Sequence, residues 1–299
     1  MEFVRKKGRK AMEVVERMGV PFLVFPRLRE TKAVIHGFST RLGGVSQGIF
    51  SSMNLSFTRG DEEACVRENY VRLGRAMGFS CEDLVFSDQT HTTNIRVVTE
   101  ADRGKGFVIP KDYRDVDGLV TQVPGLMLAT FYADCVPLFL VDPVHGAIGL
   151  SHSGWKGTVG KIGRRTVEVM GEAFGTRPED WTVAIGPSIC QDCYEVSEDV
   201  ILQFQEAFAP SWWEEIFYRK PDGKYQLNLW RANELIFQEA GLRPEQIVTT
   251  DLCTCCNPQL LFSHRASLGK RGNLGAFLML TKGEAQNWVS EDAGQQEEG

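Results

Sequence analysis

Two histidines and a cysteine are the residues with most chemistry to offer in a chain that has only five His and eight Cys among 299 residues. His91 sits in Gln89-Thr-His-Thr-Thr93, Cys135 in Tyr132-Ala-Asp-Cys-Val-Pro137, and His152 in Leu150-Ser-His-Ser-Gly-Trp-Lys-Gly157. They lie too far apart in sequence for a local zinc loop, so any shared site is assembled by folding. Two imidazoles and one thiolate are the donor set of a catalytic zinc centre, whose fourth position is left to water or substrate. Zinc there lowers the pKa of its water toward neutrality. The same residues also suit a buried Cys with two unconnected His, or a cysteine hydrolase with Cys135 as nucleophile and His152 as base.

A second group of thiols lies in Cys190-Gln-Asp-Cys193 and Cys253-Thr-Cys-Cys256. The first has zinc-knuckle spacing. Read as a CxCC run, the second is awkward around one tetrahedron, so Cys253 and its neighbours are expected as packed thiols. A non-enzymatic zinc or redox module centred on them is the alternative.

Two segments suggest anion binding. Ser39-Thr-Arg-Leu-Gly-Gly-Val-Ser-Gln-Gly48 is Gly-rich, with Arg41 and Ser46 as donors, but matches neither a Walker loop nor GxGxxG. Gly154-Trp-Lys-Gly-Thr158 opens a helix, where amides and Lys156 would hold a phosphate. Other motifs are missing. There is no H-x-E with P-C-x-x-C as in zinc cytidine deaminases, no H-E-x-x-H and no G-x-S-x-G. Five scattered His are too few for the copper cluster of a laccase.

The elements that must position these residues alternate strand and helix. Runs 33–38, 84–87, 95–98, 118–121, 126–130, 136–141, 147–151, 183–185 and 247–250 read as strands. Val66, Tyr70, Leu73 and Met77 recur at helical spacing behind an Asp61 N-cap and end at Gly78. Further helices are expected over 158–174, 197–208 and 229–240. Three connectors share one pattern, a Gly after a helix, an acidic turn, then a strand: they begin at Gly78, Gly175 and Gly241. Each strand is followed by polar or thiol residues, in Asp88–His91, Gly186–Cys190 and Asp251–Thr254. Ligands gather beyond the carboxyl ends of strands in open α/β sheets.

Several segments together carry a resemblance. They are Arg41-Leu-Gly-Gly-Val-Ser46, Gln89-Thr-His91, Asp117-Gly-Leu-Val-Thr121, Ala133-Asp-Cys-Val-Pro137, His152-Ser-Gly-Trp-Lys-Gly157, Ala184-Ile-Gly-Pro-Ser-Ile189, Tyr194-Glu-Val196 and Cys253-Thr254. In order, from about His36 to Leu280, the chain resembles the purine nucleoside phosphorylase family once described as laccase-domain or polyphenol-oxidase-like. The resemblance implies an α/β (α+β) fold, a single layered domain over residues 1–282 with mixed β-sheets flanked by helices. It implies Zn2+ held by His91, Cys135 and His152, with Cu2+ and phenol oxidation as the alternative attached to the family. The implied chemistry is cleavage of adenosine, inosine and 5′-methylthioadenosine by phosphate, together with deamination of adenosine to inosine. Asp134, Cys135 and Lys156 are the expected catalytic residues, with Asp134 moving a proton. Arg41, Ser46, Lys156 and Arg265 are the expected phosphate- or substrate-binding residues. The chain departs from its relatives at Ser263-His-Arg-Ala266 and Lys270-Arg-Gly-Asn273, where they tend to read Ser-Tyr-Arg-Arg and Thr-Gly-Arg.

Composition bounds the partners. The net charge is −6, from 33 Lys+Arg and 39 Asp+Glu. Residues 283–299 carry five acids and no base, and they are expected to form a flexible acidic tail. Without a basic excess, no nucleic-acid groove is expected. Without an apolar run long enough to span a bilayer, or a signal-peptide pattern, no membrane is expected either. The thiols then read as reduced and the protein as cytoplasmic, a monomer or homodimer acting on purine nucleosides and phosphate.

Overall fold

The computed structural model describes residues 1–6 and 11–281. The expectation for the acidic tail lies outside them. The strand Val136–Asp142 shows how the layers are made. Leu138 and Leu140 join one apolar cluster with the helical residues Ile162, Met170, Phe204 and Phe237. Phe139 and Val141 point the other way and join Phe38, Leu128 and Leu278 of a second sheet. Period-two alternation with both faces buried gives an apolar run without polar positions.

Two six-stranded mixed sheets stack in this way. The first runs in the order Glu13–Arg17, Val20–Val24, Val34–Ser39, Leu274–Leu280, Met127–Tyr132, Leu84–Phe86, antiparallel except for its last pair. The second runs Ile247–Thr249, Thr182–Ile185, Val136–Asp142, Ala147–Ser153, Gly118–Thr121, Ile95–Val97, with parallel pairs at both ends. Helix Glu63–Met77 packs Tyr70, Leu73 and Met77 on the outer face of the first sheet. Helices Ile162–Phe174, Glu198–Ala207 and Leu229–Glu239 cover the outer face of the second. The order of layers is therefore helix, sheet, sheet, helix, in agreement with the expected mixed α+β class. A small sheet, Glu195–Val196, Tyr225–Leu227 and Phe217–Arg219, flanks it.

Two expectations are corrected. The N-cap of Glu63–Met77 is Glu62, without a side-chain cap. Asp61 instead accepts from the Glu62 amide and from Asn54 Nδ2, which ties it to the preceding loop. The helix expected over 158–174 is two, Trp155–Val159 and Ile162–Phe174, broken where Lys161 turns left-handed at φ 55°. Close approach fixes that break: a Cβ on Gly160 would stand 2.6 Å from Thr93 Cγ2, in the segment carrying His91. Gly78, Gly175 and Gly241 all take positive φ, and the turn after each feeds its strand. Among the described residues, no helix is long and apolar enough to cross a membrane.

Candidate metal centre

Three chain segments deliver the triad. His91 lies just beyond the strand Leu84–Phe86. Cys135 lies where the chain leaves Met127–Tyr132 of one sheet for Val136–Asp142 of the other. His152 is the penultimate residue of Ala147–Ser153, in register with Pro137. Their ligand atoms all lie within 4.8 Å of one another. Cys135 Sγ is 3.9 Å from His91 Nε2. His91 (φ 67°) and Asp134 (φ 88°) occupy the left-handed region that side chains usually avoid, a strain that gathers at functional sites.

A buried carboxylate organises the group. Asp117 Oδ1 receives His152 Nδ1 at 2.8 Å and the His91 amide at 3.1 Å. Its Oδ2 takes the amides of Thr90 and Thr92 and the Thr92 hydroxyl. Burial works to raise the Asp117 pKa, but these donors, His152 foremost, hold it below the usual carboxylate range. An ionised Asp117 places the His152 proton on Nδ1 and leaves Nε2 facing Cys135, the outer-shell arrangement of metal-binding imidazoles. Burial alone would raise the Cys135 thiol too. The His152 charge and hydrogen bonds from His152 and His91 outweigh it and bring it down to about 6. His152 moves the other way, up to about 9, because the Cys135 charge and Asp117 outweigh its burial. Free of metal, Cys135 and His152 are thus a thiolate–imidazolium pair. Thiolate and imidazole nitrogens on an open wall suit a borderline-soft divalent ion.

Two cavities share that wall. The larger, about 500 Å³, is bordered by all three triad residues and by Phe131, Arg59, Lys111 and Arg271. The smaller, about 230 Å³, is bordered by His91 and Cys135, the apolar Trp155, Ile189, Tyr194 and Leu229, and by Asp134 and Lys156. One side is cationic and the other largely apolar.

The residues expected to act here fall in different places. Lys156 reaches the smaller cavity, its Nζ 5.6 Å from the centre of the Trp155 ring. Asp134 borders the same cavity with both oxygens engaged, by the Thr254 hydroxyl at 2.6 Å and the Arg265 amide at 2.7 Å. The Arg265 guanidinium holds the carbonyls of Cys193 and Glu195. Arg41 and Ser46, expected to hold phosphate, border neither cavity. Arg41 donates to the carbonyls of Ser51 and Pro258 and lies over the Phe262 ring. Ser46 accepts from Asn69. The glycines of that loop serve packing: a Cβ on Gly44 would sit 2.1 Å from the Ser52 carbonyl oxygen.

Arg59 and Arg271 are the residues that sequence reasoning missed. Arg271 is 8% exposed, and its Nε has no partner among the described residues. Burial, then repulsion from Arg59, lowers its pKa to about 10. The available signal was a basic residue just before Gly272, on the opposite side of the glycine from the arginine of the Thr-Gly-Arg pattern. Of the remaining histidines, His36 accepts the Phe25 amide in the core and His145 pairs with Asp142. His264 stands by Gly269 and does not join the triad.

The sequence model of the family described as multi-copper polyphenol oxidoreductase laccase matches residues 35–281. The purine nucleoside phosphorylase YlmD of Bacillus subtilis is 39% identical over 84% of this chain and 90% of its own length. The adenosine deaminase RL5 of an unknown prokaryotic organism is 35% identical over 77% of this chain and 88% of its own. The crystal structure of the Bacillus licheniformis hypothetical protein YfiH superposes with a TM-score of 0.85 at 33% identity, over 91% of this chain and all of that one. The chain belongs to this laccase-like family, whose curated relatives include purine nucleoside phosphorylases.

Proposed function

We propose that the protein is a zinc-dependent purine nucleoside phosphorylase that also deaminates adenosine. The observation carrying this reading is the triad wall shared by a cationic cavity and an apolar one, a division that matches a phosphate and a purine nucleoside. The names of the relatives point to the same pair of reactions.

Zinc bound by His91 Nε2, Cys135 Sγ and His152 Nε2 would supply Lewis-acid charge at the junction of the two cavities. The chain's own residues do the rest. Asp117 fixes the His152 tautomer and the His91 backbone. Trp155 and Tyr194 would pack against a base, and Ile189 and Leu229 keep that side dry. Arg59 and Arg271 hold phosphate, the buried Arg271 Nε–H finding in it the acceptor that the protein does not provide. Phosphate adds to C1′ as the purine departs with the bond electrons, giving free base and ribose 1-phosphate. An anion fixed against the positive charge growing on the ribose is the largest electrostatic contribution expected. In deamination Asp134, the carboxylate bordering the base side, would carry the proton from water to the purine on a lone pair left over by its bonds to Thr254 and Arg265. Reduced thiols throughout suit the cytoplasm as its compartment.

The deciding experiment is metal analysis of purified protein with product identification from adenosine, with and without phosphate. Adenine and ribose 1-phosphate with phosphate, inosine without it, and loss of metal and both activities in Cys135→Ala are expected. Phosphorolysis retained in a metal-free variant would sink the shared site.

The Cys135–His152 ion pair also favours a second reading, a cysteine hydrolase. Alkylation separates the two. A zinc ligand resists iodoacetamide until a chelator is added, whereas a free nucleophile reacts at once. A multicopper oxidase finds only two imidazoles here, since His36, His145 and His264 lie elsewhere.

A further inference from the structure

The thiols expected as packed neighbours converge on one point. Cys190 and Cys193 follow the strand Thr182–Ile185, and Cys253 and Cys256 follow its parallel neighbour Ile247–Thr249. The sulfurs of these four all lie within 4.8 Å of one another, with Cys193 and Cys256 at 3.5 Å. Cys255, between Cys253 and Cys256 in sequence, is not among them. What looks like a CxCC run is a CxxC knuckle, Cys253 to Cys256, with Cys255 beside Cys193 and Ser263 but outside the four.

We infer that Cys190, Cys193, Cys253 and Cys256 form a second metal centre, a structural zinc tetrathiolate separate from the His91–Cys135–His152 site. Two CxxC knuckles on adjacent loops are the usual frame of such a centre. At a Zn–S distance near 2.3 Å, tetrahedral sulfurs stand about 3.8 Å apart, which the observed cluster brackets. All four cysteines are free thiols. The Cys190 amide donates to Cys253 Sγ at 3.2 Å, a bond that stabilises a thiolate. Lys6, held at 3.1 Å by Asp192 of the first knuckle, contributes a positive charge beside Cys190 and Cys256. Packing alone explains the buried Cys190 and Cys253, but not why the half-exposed Cys193 and Cys256 turn to meet them.

The centre would brace the loops that build one wall of the smaller cavity. Ile189 and Tyr194 flank the first knuckle and line that cavity. The Ile189 amide bonds the Asp134 carbonyl, the Thr254 hydroxyl bonds its carboxylate, and the Cys193 carbonyl takes Arg265. Metal at the thiols would therefore brace Ile189, Tyr194 and Asp134 of the nucleoside site without itself touching the nucleoside.

The test uses the full chain with His91, Cys135 and His152 all replaced by Ala, purified under reducing conditions without added metal. About one equivalent of zinc is expected to remain, and exchange with cobalt should give the intense thiolate-to-cobalt absorption of four sulfur ligands. In the otherwise unaltered chain, Cys193→Ser with Cys256→Ser should lose one equivalent and melt at lower temperature, while Cys255→Ser should change neither. Should the double variant not fold, the cobalt spectrum of the triple variant decides. A metal-free triple variant, iron in place of zinc, or a Cys193–Cys256 disulfide in the purified protein overturns the inference. One equivalent in the unaltered chain and one in the triple variant alike would support it while refuting the reading of the other site.

Discussion

Asp117 Oδ1 stands 2.8 Å from His152 Nδ1 and 3.1 Å from the His91 amide, so one buried oxygen sets two of the three candidate ligands. Its other oxygen receives three more donors, from Thr90 and Thr92. In Asp117→Asn, either orientation of the amide points an NH2 group at a donor. The His152 tautomer, the His91 loop or both are then lost. Metal affinity is expected to fall about 10- to 100-fold, read by competition against a chromophoric chelator. Unchanged affinity would mean that Asp117 serves folding alone.

Gly154 packs against two of the candidate ligands, His91 and Cys135. A Cβ there would stand 2.8 Å from His91 Cδ2 and 3.1 Å from Cys135 Sγ. Its φ of −76° is one that Ala adopts freely, so the substitution strains the site and not the backbone. Gly154→Ala should therefore weaken metal binding with little change in thermal midpoint. A variant that binds metal normally, or one that unfolds, contradicts this.

His36 carries a pH dependence remote from the site. Its ring is fully buried, and Nε2 accepts the Phe25 amide at 2.9 Å, which requires the neutral form. Burial, then repulsion from Arg29, depresses its pKa to about 3, against about 6.5 when unfolded. Between those values the unfolded chain binds the extra proton, so stability falls as pH is lowered through this window and levels off beneath it. Within it, His36 contributes a slope of about 1.4 kcal/mol per pH unit. His36→Gln keeps an acceptor for Phe25 and should flatten the dependence of the urea midpoint on pH. An unaltered slope would acquit His36.

The candidate ligands stood out as scarce residue types that follow strands, His91 and His152 at or beyond a strand end and Cys135 at the crossing between sheets, while it was the resemblance that joined the three into one set. Strands exposed to an acidic turn were also legible, since Gly78, Gly175 and Gly241 punctuate them. The strand Leu274–Leu280 was not. It is buried along its whole length like Val136–Asp142, but its Leu, Ala and Met carry no β-branched residue and suit a helix as well as a strand. The thiol centre was hidden by Cys255, whose presence turns one knuckle into an apparent CxCC run. The cationic cavity was hidden by distance in sequence. Arg41 in its Gly-rich loop looked like the phosphate residue, whereas folding spends its guanidinium on the Ser51 and Pro258 carbonyls and brings Arg59 and Arg271 to the wall.

That exchange of roles can be tested on the two reactions separately. Arg271 is buried, carries an unpaired Nε–H and faces Arg59 across the cavity that borders His152. A hydrogen bond to a charged group is worth about 1.5–3 kcal/mol, so Arg271→Gln should raise the KM for phosphate about 10- to 100-fold. Arg271→Lys should recover part of this, since it restores the charge without the planar fork. Deamination of adenosine needs no phosphate and should keep its KM in both variants. Arg41→Gln should leave the KM for phosphate near its starting value, because its guanidinium lies outside both cavities. The discriminating quantity is the ratio of the two KM changes. If Arg271→Gln raises both equally, Arg271 shapes the site as a whole, and phosphate must be held elsewhere, with Lys156 on the opposite side of the triad as the next residue to replace.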